Sequence, residues 1–141
     1  MTELELMLFM LPKILVATVC GLIVGWEREL KKKVAGIRTH VLICVGVTIF
    51  TSIGFILIKN QTNIDPTRII GQIITGIGFL GGGVIFKNAD HIVGVTSAAF
   101  IWLIASIGVL IGIGYILAPV VFTIGLLLVS IVLSNVEERL K

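Results

Sequence analysis

Long apolar runs alternate with short polar or glycine-proline breaks along the whole of this chain. A bilayer's hydrocarbon core is about 30 Å thick, so a helix crossing it needs roughly 20 mostly apolar residues. Residues Leu4 to Leu11 form a first apolar run that ends at Pro12-Lys13. Proline fits the first turn of a helix. The pattern therefore predicts a short interfacial helix before Pro12 and a first span over about Lys13 to Gly25. A single tilted, kinked helix from Leu4 to Gly25 is the alternative. A charged connection, Trp26 to His40, leads to a second span over about Val41 to Ile58. Lys59 to Asp65 is a polar turn. The third span covers about Thr67 to Phe86, glycine-rich and without charge after Arg68. Lys87 to His91 is a short polar turn before a fourth span over about Gly94 to Leu110. Gly112, Gly114 and Pro119 mark a tight turn, and a fifth span follows from Pro119 to about Leu133.

Composition agrees with that segmentation. The chain is 57% hydrophobic and 13% charged over 141 residues. A soluble globule of this size leaves too much surface in water to hide so much apolar side chain. The expected fold is an all-α integral membrane helical bundle of about five transmembrane helices, one domain over residues 1–141 with no soluble C-terminal domain. Glu3 and Glu5 stand where a secretory signal would carry basic residues. Arg28, Lys31, Lys32, Lys33, Arg38, Lys87, Arg139 and Lys141 fall on one side of five spans, and Lys13, Lys59 and Arg68 on the other. The positive-inside rule places the first group in the cytoplasm, with the N-terminus outside and the C-terminus cytoplasmic. The net charge of +3 does not suggest nucleic-acid binding, since the basic residues flank spans. Cys20 and Cys44 lie within apolar segments and read as packing residues. Gly25 to Gly36 and Gly83 to Gly94 share a separation around polar connections, with Thr48 and Ser106 at matching positions, a weak sign of a duplicated helical hairpin.

Several constellations carry candidate chemistry. Gly76-x-Gly78-x-x-Gly81 spells a dinucleotide fingerprint but lacks the strand-turn-helix setting that motif needs. Helix packing is the better reading for the pairs four apart: Gly21 and Gly25, Gly78 and Gly82, Gly108 and Gly112. Small residues at that spacing let backbones approach where lipid supplies no hydrophobic drive. Asp65 and Pro66 form a helix start. Arg68 in the first turn opposes the helix dipole and must reach lipid head groups or an acid. Gln72, Thr75 and Phe79 continue its face, and an amide inside a bilayer needs a partner. His40, Cys44, Thr48, Thr51 and Ser52 make a polar stripe on the second span, expected to turn inward against the helix bearing Gln72. Glu27, Arg28, Glu29 and Arg38 cluster at one end of the first hairpin, and arginine suits bidentate carboxylate or phosphate contacts. No Asp or Glu falls inside spans two to five. Mg²⁺ is held by carboxylates, so no metal site is expected, Asp65 being the one candidate contact. No nucleophile–base set is visible, and enzymatic activity is not expected.

Gly21-Leu22-Ile23-Val24-Gly25-Trp26-Glu27-Arg28-Glu29, Ala35-Gly36-Ile37-Arg38-Thr39-His40, Asp65-Pro66-Thr67-Arg68 and Gly76-Ile77-Gly78-Phe79-Leu80-Gly81-Gly82-Gly83-Val84-Ile85 together resemble the bacterial MgtC/SapB membrane domain. Gly94-Val95-Thr96-Ser97-Ala98-Ala99 with Trp102 is similar to a later block of that family. Trp26 and Gly82 depart from its usual aliphatic and alanine. The resemblance implies a multi-pass bacterial inner-membrane protein linked to growth under magnesium limitation, and in pathogens to virulence. It also implies the F-type ATP synthase as a candidate partner. Motif match singles out Glu27, Arg28, Arg38, Thr39, His40, Asp65, Arg68 and Thr96, with Gln72 added from the stripe argument. Two functions are expected: a homodimeric regulator of a membrane partner in magnesium homeostasis, with no cofactor, or a transporter of Mg²⁺ or another ion along the second and third spans.

Overall fold

The computed structural model describes residues 2–59, 65–89 and 91–140. Five helices account for most of the chain: α1 (Glu3–Leu30), α2 (Ile37–Lys59), α3 (Pro66–Gly83), α4 (Val95–Ile113) and α5 (Leu117–Arg139). A two-stranded antiparallel hairpin, β1 (Phe86–Asn88) and β2 (His91–Val93), joins α3 to α4. The bundle is all-α apart from this hairpin. Among the described residues α1, α2, α4 and α5 are long and apolar enough to cross a membrane.

Three boundaries differ from the pattern-based expectation. The first apolar run is not a separate interfacial helix. α1 continues unbroken through Pro12 because it begins at a capping box, in which Glu5 N–H donates to Thr2 Oγ1 (3.3 Å) and Thr2 N–H to Glu5 Oε2 (2.8 Å). Proline inside a membrane helix is tolerated where neighbours satisfy the freed backbone. The third run is shorter than expected. α3 ends at Gly83, so Val84 to Phe86 leave the helix. Lys87, Asn88 and His91 of the expected polar turn belong to the paired strands of the β-hairpin. Gly94 closes its base at φ +95, where any Cβ would collide with the Val84 carbonyl. The expected turn at Lys59 to Asp65 lies largely outside the described residues.

The core is built by α1, α2 and α4. Ala17, Cys20 and Val24 of α1, Cys44 and Val47 of α2, and Ile101, Ile104 and Ile111 of α4 form one buried cluster. Glycines set the spacing. A Cβ added at Gly21 would lie 2.6 Å from the Val41 Cα, and one at Gly25 the same distance from the Ile37 Cα, so α1 and α2 pack antiparallel, backbone to backbone. Gly108 meets the Cys44 carbonyl and Gly112 the Thr48 carbonyl, so α4 runs parallel to α2. This register leaves α4 short. Gly112 is level with Thr48 and Thr51, while α2 runs on to Lys59, about 12 Å further at 1.5 Å per residue. The end of α4 and the Gly114 turn (φ +126) are therefore set back alongside α1 and α2.

Candidate functional site: two polar clusters at opposite ends of the bundle

Helix direction sorts the sequence-selected residues into two groups. Glu27 and Arg28 end α1, Arg38, Thr39 and His40 open α2, and Thr96 sits in the first turn of α4, parallel to α2. Asp65, Arg68 and Gln72 belong to the start and first half of α3, which begins beside the last turns of α2, with Ile69 against Gly54. From His40 to Gly54 α2 rises about 21 Å, and that length separates Arg68 from the first group.

The first group centres on Arg28, which is 2% exposed. Its guanidinium is ion-paired with Glu27 through Nε and donates to Glu27 Oε1 at 2.6 Å and to Ser130 Oγ of α5 at 2.7 Å. It also lies 3.9 Å above the Phe100 ring of α4. Lys31 Nζ pairs with Glu27 as well, at 2.8 Å. One buried cation thus fastens α1 to α4 and α5. Glu29 does different work: its carboxylate accepts from Ile37 N–H at 3.1 Å, placing negative charge at the α2 N-terminus, where the helix dipole favours it. His40 is fully buried, with Nδ1 2.8 Å from the Gly36 carbonyl and Nε2 without a partner. Thr96 is exposed, and Arg38 and Thr39 lie at the open end of α2.

The polar stripe of α2 turns inward, but not toward α3. His40, Cys44, Thr48, Thr51 and Ser52 are all fully buried. Thr48 Oγ1 donates to the Gly108 carbonyl (3.1 Å) and Ser52 Oγ to the Gly112 carbonyl (3.0 Å), both on α4. Gln72 is exposed on the other side of α2. The reason lies in the glycines: α4 comes close enough at Gly108 and Gly112 to present its backbone carbonyls to Thr48 and Ser52. Lys13 completes the stripe. It is 5% exposed and donates to the Gly112 carbonyl (2.8 Å) and to Ser52 Oγ (3.3 Å), with its ammonium 3.9 Å from the Phe9 ring. A cation at a helix C-terminus is favoured by the dipole, and the set-back end of α4 brings that terminus to Lys13.

The second group is open. Asp65 caps α3, accepting from Thr67 N–H (2.9 Å) and Thr67 Oγ1 (2.7 Å). These bonds hold its carboxyl below the usual carboxylate range. Arg68 and Gln72 line one end of a groove of about 790 Å³ between α2 and α3, otherwise apolar. A second apolar groove of about 310 Å³ separates α3 from α4. Gly78 and Gly82 face neither neighbour: an added Cβ meets nothing within 4 Å. Their expected packing role is not met within this chain, whereas Gly21, Gly25, Gly108 and Gly112 lie at close helix contacts.

Among the described residues no group of three or more His, Cys, Asp or Glu side chains is arranged to hold a metal ion. Sequence reasoning passed over Lys13, Phe100 and Ser130. Lys13 was screened by the Pro12-Lys13 helix-start signal, although Thr2-x-x-Glu5 is a capping box and marks the earlier start. Ser130 carried the signal of any hydroxyl in an apolar span.

Residues 14–139 match the family model described as the MgtC family. The chain belongs to the MgtC family. Among its MgtC-family relatives, a protein of Haemophilus influenzae is 40% identical over 139 residues, covering 94% of this chain and 58% of the relative. YhiD of Escherichia coli, named a "putative magnesium transporter", is 45% identical over 111 residues, 75% of this chain and 51% of the relative. Protein MgtC of Salmonella typhimurium is 37% identical over 141 residues, 99% of this chain and 59% of the relative. The chain thus spans just over half the length of these relatives. No solved structure matches it. Family and apolar helices together make this MgtC-family chain a bacterial membrane protein in contact with the lipid bilayer.

Proposed function

We propose that this protein acts in the inner membrane as a regulator of a membrane partner during adaptation to low Mg²⁺, not as an ion conduit. The carrying observation is the interior itself. The polar stripe of α2 has no accessible surface, its hydroxyls at Thr48 and Ser52 are spent on α4 carbonyls, and its far end is closed by the ammonium of Lys13. A path for a divalent cation needs oxygen ligands or retained water, and a buried lysine repels such an ion. On this proposal the chain catalyses nothing and carries no resident cofactor. It works as a homodimer with its C-terminus in the cytoplasm. Its partners are membrane proteins, the F-type ATP synthase being the one the family resemblance suggests, and in a pathogen its action supports virulence.

The name of the Escherichia coli relative favours a second reading, Mg²⁺ transport, in which Asp65 would attract the cation at the outer mouth. Flux separates the two. The purified chain, reconstituted into liposomes loaded with a magnesium-sensitive dye, is expected to give no saturable Mg²⁺ entry above empty vesicles. Saturable entry that Asp65→Asn abolishes would overturn the regulator and establish the transporter.

A further inference from the structure

We propose that the groove between α2 and α3 is a binding site for one anionic phospholipid, its acyl chain along the groove and its phosphate on Arg68. The lining is graded. Arg68 sits at one end, Gln72 follows one helical turn deeper, and the rest is hydrocarbon notched by Gly46 and Gly76. A lipid has the same gradient: a charged phosphate, then ester carbonyls that accept hydrogen bonds, then an apolar tail. An arginine fork suits phosphate oxygens, and the Gln72 amide can donate to an ester carbonyl one turn below. From Arg68 to Leu80 the groove follows α3 for about 18 Å, against about 15 Å for half a hydrocarbon core.

Charge argues against an apolar transmembrane helix as the occupant, because it would bring no anion to the Arg68 guanidinium at the end of the groove. The volume of the groove lies within the roughly 300–1,000 Å³ of ligand clefts. The α3/α4 groove has the apolar lining but no cation, and so has nothing to select a head group.

The test uses the whole chain, purified in detergent and stripped of lipid. Phosphatidylglycerol and phosphatidylcholine with identical acyl chains are titrated, and bound lipid is counted by native mass spectrometry, with inorganic phosphate as a competitor. One phosphatidylglycerol is expected to bind, about tenfold tighter than phosphatidylcholine, whose phosphate is the same but whose choline cation cancels the net charge and is repelled by Arg68. Arg68→Gln should erase that preference. Gly76→Leu and Gly46→Leu, placed where an added Cβ meets nothing, should fill the groove and weaken both lipids. Inorganic phosphate should not displace the lipid. Equal affinity for the two lipids, a preference unchanged in Arg68→Gln, or binding unaffected by both leucine variants would overturn the site. Full displacement by phosphate would reduce it to a free-anion contact and overturn the lipid. A cross-link from Gly46→Cys to a second copy of the chain would give the groove to a protein partner instead.

Discussion

At the scale of single residues, two buried cations define what the bundle can do. Arg28 is balanced: Glu27 supplies the counter-charge, Ser130 a hydroxyl, and Phe100 a ring face. Breaking such a pair by removing one partner is costly, because the other charge stays behind without its match. Arg28→Met should lower stability by about 3–5 kcal/mol, at the lower end because Lys31 still holds Glu27. Glu27→Gln combined with Arg28→Met should recover much of that loss. Thermal unfolding of the purified chain in detergent reads both values. A single variant that melts with the parent protein would show that the bond to Ser130 does not hold α5. Lys13 has no such counter-charge among its contacts and relies on the α4 carbonyl end. The family motif pointed to Arg28, while nothing in the local sequence paired it with Phe100 or Ser130, which lie 72 and 102 residues away along the chain.

At the scale of helices, glycine decides which faces meet. Gly21→Ala must force its new methyl into the Val41 backbone, and Gly112→Ala into Thr51 and the Thr48 carbonyl. Backbone cannot swing aside as a side chain does, so each should cost about 1–3 kcal/mol, the usual range for overpacking. Gly78→Ala and Gly82→Ala meet open space and should be neutral or stabilising by up to about 1 kcal/mol, since alanine favours the helix. Comparative unfolding of the four variants checks the contrast; destabilisation by Gly78→Ala would mean that this face of α3 is docked against a neighbour. The sequence announced all six glycines equally, through the same four-residue spacing. It could not tell which pairs meet a neighbour, because that depends on the parallel register of α2 and α4, set by hydrogen bonds between residues 60 apart. Helix existence was legible throughout from the apolar runs. The boundaries that failed are those governed by local hydrogen bonding, at the Thr2 capping box and the hairpin closed by Gly94.

At the scale of the whole molecule, a packed interior and a conduit differ in whether water reaches the middle of the polar stripe. Cys44 lies there, between His40 and Thr48, with no accessible surface, and Cys20 faces the same core from α1. Both are native reporters. In right-side-out and inside-out vesicles alike, a membrane-impermeant thiol reagent should leave Cys20 and Cys44 unmodified on a timescale that fully labels Thr96→Cys, an exposed position in the first turn of α4, in whichever of the two orientations presents it to the reagent. After detergent denaturation all of them should react. The comparison within one chain removes differences in expression and reagent decay. Slow chemistry of a buried thiol is separated from poor access by repeating the assay with Thr48→Cys, Thr51→Cys and Ser52→Cys, which sample the stripe toward Lys13. A water-filled path would label a continuous run of these positions from one face of the membrane. A packed core should protect every one of them, because the α4 carbonyls at Gly108 and Gly112 hold Thr48 and Ser52, and the ammonium of Lys13 covers the far end. Lys13→Ala then becomes the decisive variant. If Lys13 is the plug of an otherwise open channel, its removal should expose Ser52 and Cys44 to the reagent and admit Mg²⁺. If the helices themselves exclude water, the thiols should stay protected and the vesicles tight.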